Sequence, residues 1–249
     1  MSFNIDAMLQ RHWAAVGSLY LTRRLALCVC LLFVVGCHTD DENSSAELGS
    51  GIKILAIGDS ALEWNGDLST PAQLEIKLRD QGLNASVRNR SVGGATLGCG
   101  QQNIGMAENC IPPQYEEQDW DFVLISGGAN DILDSGCQVS ADALISADLS
   151  SGLMPELLRR VLASSKKVIL YGYFLPLDAN GTVATCNPVY TLLQRYRSLA
   201  QENENIIYVD AGQVVQRTSP EYYADDIHPS EAGSTVIAEL LVDAVVQNQ

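Results

Sequence analysis

The chain has 249 residues, 47% apolar and 18% charged, a balance that fits a packed globular protein and excludes a chain disordered throughout. Its length holds one good-sized domain or two small ones. Against 15 Lys and Arg stand 30 Asp and Glu, a net charge of −15; such a surface repels phosphate backbones, so no nucleic-acid partner is expected.

Near the start, Arg23 and Arg24 precede an unbroken apolar run, Leu25 to Val35. The run is too short to span a bilayer as an ordinary helix and suits the apolar region of an export signal. It ends in Val34-Val35-Gly36-Cys37, which resembles a bacterial lipobox, in which the cysteine receives lipid and becomes the first mature residue. Residues 1–36 are therefore read as a lipoprotein signal peptide starting at Met1 or Met8, with Cys37 as the lipidation site. A plain signal peptide, or an uncleaved anchor, is the competing reading. His38 is not an inner-membrane retention aspartate, so the outer membrane, facing the periplasm, is the expected location. Residues 37–50 are polar and acidic without hydrophobic periodicity, and read as a flexible tether. The folded domain is expected over 51–249.

Along that domain, short apolar runs alternate with helical patterns. Ile52–Gly58, Ala85–Val92, Asp121–Ser126, Lys166–Phe174 and Asn205–Ala211 read as strands. Several are continuously apolar, as strands covered on both faces are. Helices are predicted over Pro71–Gln81 with Ser69 or Thr70 as cap, Leu153–Ser164, Pro188–Asn203 and Ser230–Gln247. This alternation implies a single α/β domain with a parallel sheet and helices on both faces.

Cys28 and Cys30 leave with the signal and Cys37 is the lipid site, so Cys99, Cys110, Cys137 and Cys186 remain. An even count in an exported protein suggests disulfides, with three possible pairings. The domain holds no Cys-x-x-Cys and one histidine, His228, since His12 and His38 precede it. No metal site is expected.

Open parallel sheets place their chemistry at the carboxyl ends of the strands. Gly58-Asp59-Ser60 follows the first predicted strand, Ser91–Thr96 the second, and Gly127–Asp131 the third, while His228 lies after the fifth. Each alone is an ordinary turn or cap. Together they supply a hydroxyl nucleophile, a base, an orienting carboxylate and donors for an oxyanion. Absence of a Gly-x-Ser-x-Gly elbow disfavours the α/β-hydrolase fold. Asp59 reads as a brace of its turn. Trp64 could line an acyl or sugar pocket or belong to the core, and both readings stay open.

These blocks resemble the SGNH hydrolases, also called GDSL esterases and lipases, across nearly all of residues 51–249. In "AIGDSALEW" Ser60 matches the nucleophile, with Ala61 where the family name has leucine. In "NRSVGGAT" the spacing from Asn89 to Thr96 selects Gly94, rather than Gly93, as the oxyanion glycine. In "GAND" Asn130 matches the oxyanion asparagine. "DDIH" assigns Asp225 and His228, and leaves Asp226 one residue out of register. The resemblance implies a flavodoxin-like fold with five parallel strands in the order 2-1-3-4-5. It also implies a serine esterase working through a Ser60-His228-Asp225 triad, with Ser60, Gly94 and Asn130 forming the oxyanion hole. No cofactor enters this reading.

The implied strand order sets the third and fourth strands side by side, which pairs Cys137 with Cys186 and leaves Cys99 to close a local loop with Cys110. The expected substrate is a small-molecule or glycan ester with a short acyl or O-acetyl group, acted on by a monomer tethered to a membrane by lipid. Lysophospholipase or thioesterase activity is the alternative within the family. A lipid-tethered binding protein that kept the fold without turnover is the alternative outside it.

Overall fold

The computed structural model describes residues 51–100, 109–174, 186–216 and 218–249. The expected signal peptide, Cys37 and the tether lie outside the described residues. By contacts the chain divides into Met1–Ser45 and Ala46–Gln249, and the second unit carries the fold below.

Five strands form one sheet: β1 (Ile52–Ile57), β2 (Ala85–Asn89), β3 (Trp120–Ile125), β4 (Ser165–Gly172) and β5 (Ile206–Asp210). All pairings are parallel, and the spatial order is β2-β1-β3-β4-β5, the order the resemblance implies. The longer helices are α2 (Thr70–Asp80), α5 (Leu153–Leu162), α6 (Asn187–Glu202) and α7 (Glu231–Gln247). Short helices α1 (Ser60–Glu63), α3 (Ala129–Leu133) and α4 (Ala141–Leu144) fill the rim loops.

Strand side chains alternate between faces, and the core divides accordingly. On one face Leu55, Ile57, Val123, Ile125, Val168 and Leu170 pack against Leu157, Val161, Leu192 and Tyr196 of α5 and α6. On the other, Ile54, Ala56, Phe122, Leu124 and Ile169 pack against Leu74, Leu78, Ile237, Leu241 and Val245 of α2 and α7. Burying one such aliphatic side chain contributes about 1.5–3 kcal/mol, so both faces must be covered for the central strands to be stable. Helix starts follow local chemistry. Proline occupies the first turn of α2 and α6, where a missing N–H costs nothing. The Ser230 hydroxyl accepts from Gly233 N at 3.1 Å and caps α7.

Two strand ends on the rim fall two or three residues short of the sequence reading. The second strand stops at Asn89 rather than Val92, because Asn89 turns the chain: its Oδ1 accepts from Ser91 N and its Nδ2 donates to Leu62 O. The fourth stops at Gly172 rather than Phe174, so Tyr173 and Phe174 belong to the rim. Helices α1, α3 and α4 were not expected; each is under two turns, too short to show a hydrophobic period.

Candidate active site

The nucleophile turn is shaped by a glycine. Gly58 leaves β1 at φ +146°, and a Cβ there would sit 2.0 Å from Ser126 Oγ, so no larger residue fits. The buried Gln114 side chain clamps that glycine, accepting from its N–H at 2.6 Å and donating to its carbonyl at 2.9 Å. Val92 N donates to the same carbonyl at 3.0 Å, which ties the second-strand loop to the turn.

Asp59 then caps α1, accepting from Ala61 N at 3.1 Å. Its side chain also accepts from Ser126 Oγ at 2.9 Å and Tyr173 OH at 2.5 Å. Burial pushes the Asp59 carboxyl above the ordinary range, against the hydrogen bonds from Tyr173, Ser126 and Ala61 that favour the carboxylate. The sequence reading of Asp59 as a brace for its turn fits these contacts. Ser60 opens the short helix, half-buried, beside the pocket.

His228 arrives on the loop before α7. Its Nε2 lies 2.9 Å from Ser60 Oγ and its Nδ1 lies 2.7 Å from Asp225 Oδ2. Asp225 Oδ1 accepts from the backbone N–H groups of Ile227 and His228, at 2.8 and 2.7 Å. Burial alone would raise the Asp225 carboxyl; the bonds from His228 and Ile227 outweigh it and hold it below the ordinary range. Asp226 is exposed. The structure thus joins Ser60, His228 and Asp225 in one hydrogen-bonded chain.

Asn130 sits at the start of α3, reached through Gly128 at φ +87°. Its Nδ2 donates to Ala95 O at 3.0 Å, which orients the amide and leaves its second hydrogen for another acceptor. Next to it the buried Asp131 accepts from Leu97 N at 2.9 Å and Gly98 N at 2.8 Å, so α3 holds the loop that carries Gly93 and Gly94. Gly94 takes φ +71°. A Cβ on Gly93 would stand 3.9 Å from Ser60 Cβ, so this loop passes directly alongside the serine.

A pocket opens between these groups. Ser60, Asn130 and His228 meet there with an apolar wall of Leu133, Phe174, Val189, Tyr190 and Ile227. Among the described residues no cluster of three or more His, Cys, Asp and Glu could hold a metal ion.

Of the two expected disulfides the structure forms Cys137–Cys186, with Cα atoms 5.7 Å apart, and Cys186 lines the pocket. The expected Cys99–Cys110 bond is not formed. Cys99, at φ +53°, turns its sulfur toward Leu97 O at 3.7 Å and meets Cys110 through a thiol hydrogen bond. Burial, with Cys110 beside it, pushes the Cys99 thiol up to about 12.

Several site residues escaped the sequence reading. Tyr173 could have been placed on the rim by its position at a strand end, and Ser126 by the same rule. Gln114 carries no signal, since its partner is 56 residues away. Trp64 stacks on His228 with ring centroids 3.8 Å apart.

Residues 56–236 match the model of the GDSL-like lipase/acylhydrolase family. Among solved structures, TesA aligns at TM-score 0.58 and 22% identity over 79% of this chain and 99% of its own. The acetylxylan esterase Axe2 from Geobacillus stearothermophilus aligns at TM-score 0.55 and 21% identity, over 80% of this chain and 95% of its own. A protein described as a GDSL-like lipase, from Parabacteroides merdae, aligns at TM-score 0.58 and 16% identity over 79% and 96%. At these identities the likeness is one of fold. No curated protein sequence matches the chain.

Proposed function

The chain belongs to the GDSL-like lipase/acylhydrolase family of carboxylic ester hydrolases, and from that premise we propose that it cleaves esters of short acyl or O-acetyl groups through a Ser60-His228-Asp225 triad. The observation that carries this reading is the unbroken chain from Ser60 Oγ through both His228 ring nitrogens to Asp225, at 2.9 and 2.7 Å. His228 Nε2 takes the Ser60 proton as the oxygen attacks the ester carbonyl, and Asp225 holds the other ring nitrogen and stabilises the imidazolium. The tetrahedral oxyanion is met by the N–H groups of Ser60 and Gly94 and by the free Asn130 amide hydrogen. Each such donor is worth about 3 kcal/mol in the transition state. His228 returns the proton to the departing alkoxide. A water molecule, deprotonated by His228, then releases the acid and restores Ser60.

A fluorophosphonate probe tests the chemistry, since an activated serine is phosphonylated quickly. The expected result is one adduct on Ser60, lost in His228→Ala; a wild-type chain left unlabelled contradicts the proposal and favours a binding protein. The apolar wall of Leu133, Val189, Tyr190 and Ile227 favours a pocket that also accepts acyl chains beyond acetyl, the lysophospholipase or thioesterase alternative. p-Nitrophenyl esters of increasing chain length, run beside acetylated xylooligosaccharides, separate the two.

The same proposal extends to location. The Arg23-Arg24 pair, the apolar run after it and Cys37 support a lipid-anchored protein at the outer membrane, facing the periplasm. Cys37→Ala should then abolish lipid labelling and move the protein to the soluble fraction. Unchanged fractionation would favour an uncleaved anchor.

A further inference from the structure

Trp64 follows Ser60 by four residues, and its backbone N–H donates to the Ser60 carbonyl at 2.9 Å. That spacing puts the indole and the nucleophile on one side of α1. His228 therefore meets both: Nε2 faces Ser60 Oγ while the ring lies flat on the indole, 3.8 Å between centroids and 2° from parallel. Trp64 is half-buried and is not among the residues lining the pocket.

The next residue locks the contact. Asn65 takes the left-handed conformation, φ +73°, which non-glycine residues adopt at a cost that Asn tolerates best. There its side-chain amide donates to Pro229 O at 3.0 Å and to the buried Ser234 Oγ at 2.9 Å. Pro229 directly follows His228, and Ser234 lies in the first turn of α7. The helix that begins with the nucleophile is thus bound to the histidine loop at two adjacent points, a ring stack and a forked hydrogen bond.

An imidazole needs such a brace. Its bond to Asp225 fixes Nδ1, but a single hydrogen bond leaves the ring free to tip about the line of that bond, the terminal torsion of a histidine being broad. Tipping about that line would carry Nε2 out of line with Ser60 Oγ while the Asp225 bond is kept. A parallel indole at stacking distance removes that freedom.

We propose that Trp64 is a positioning residue: stacked on His228 and secured by Asn65, it holds the imidazole plane in which Nε2 reaches Ser60 Oγ. This rests on the triad reading above.

Trp64→Leu keeps bulk and loses the aromatic face, whereas Trp64→Phe keeps a ring. For a short p-nitrophenyl ester, Trp64→Leu should lower kcat roughly 10- to 100-fold, the scale of a misplaced catalytic group. Its KM should stay within about threefold, and Trp64→Phe should recover most of the kcat, since phenyl still stacks. Fluorophosphonate labelling of Ser60 should slow in parallel. Independently of turnover, the carbon-bound ring protons of His228, assigned by their loss in His228→Ala, should resonate upfield in the wild-type chain. They should return toward ordinary positions in Trp64→Leu. A higher KM with kcat intact would make Trp64 a substrate wall and overturn the proposal. An unchanged kcat, or His228 ring protons at ordinary positions in the wild type, would also overturn it. If Ser60→Ala and His228→Ala turn over like the wild type, the triad reading fails first, while an upfield His228 signal would still establish the stack.

Discussion

Asp225 binds His228 twice over: one carboxylate oxygen lies 2.7 Å from the ring Nδ1, and the other accepts the backbone N–H of the same residue at 2.7 Å. Three residues of separation allow this, because one tight turn delivers both donors to one carboxylate. The direction of Nδ1 is therefore set within the histidine's own loop, while the plane of the ring and its distance to Ser60 depend on how that loop docks on α1.

Asp225→Asn should lower kcat by about three to four orders of magnitude, since the amide no longer selects the tautomer that leaves Nε2 able to accept a proton. Asp226→Asn, altering an exposed neighbour, should stay within about twofold of wild type. Steady-state kinetics on both variants checks the assignment; the opposite ranking would move the triad acid by one residue.

Asp225 also makes a pH prediction. Its carboxyl is held below the ordinary range, so the folded state favours the ionised form. The stability it adds is fully present above the unfolded carboxylate pKa of about 3.9 and is lost as pH falls through the lower folded value. The melting-temperature gap between wild type and Asp225→Asn should be constant near neutrality and narrow below about pH 4. Thermal scans across that range test it; a gap that widens on acidification would contradict the sign.

Much of this site was legible because its parts sit at strand ends. Short apolar runs, several of them continuous, marked the strands, and the loops after them carried Ser60, Asn130 and His228. What was not legible depends on long-range placement. Gln114 and Ser126 brace Gly58 and Asp59 from segments 56 and 67 residues away, and no local pattern announces such partners. Trp64 had two open readings, pocket wall and core, and the contact it makes is a third that neither foresaw, the His228 ring. The cysteines divide the same way. Cys137 and Cys186 follow from neighbouring strands, whereas Cys99 depends on a left-handed turn that directs its sulfur to a carbonyl.

Gly58→Ala should be among the most damaging single-methyl additions. The new Cβ would meet Ser126 Oγ at 2.0 Å at a φ of +146°, a clash with buried groups combined with backbone strain. A loss on the order of 3 kcal/mol is expected, with esterase activity falling alongside. Urea unfolding measures it, and a loss under about 1 kcal/mol would mean that the turn relaxes.

Asp131→Asn replaces a carboxylate that accepts two buried N–H groups, from Leu97 and Gly98, with an amide that can accept from one. Leaving a buried donor unmet costs about 1–3 kcal/mol. Because that loop leads from Gly94, kcat should fall together with stability. Urea midpoints and kinetics on the variant should show both losses; an intact kcat would uncouple the loop from the reaction.

Alkylation of the unreduced, unfolded chain should modify Cys99 and Cys110 and spare Cys137 and Cys186 until reductant is added. In the folded chain Cys99 should react slowly, its thiol being pushed up to about 12. Replacing Cys137 and Cys186 by serine opens a 49-residue separation, for which chain entropy gives a loss of about 4 kcal/mol. Peptide mapping and melting curves check these in turn. A Cys99–Cys110 adduct-free pair would show that this bond closes after all.

The central claim is that Ser60 is the nucleophile that His228 activates. Its most direct test is p-nitrophenyl acetate hydrolysis by Ser60→Ala, with folding verified by an unchanged melting temperature. Turnover should fall at least about a thousandfold, toward what the oxyanion donors alone supply; a folded variant within about tenfold of wild type would contradict the account.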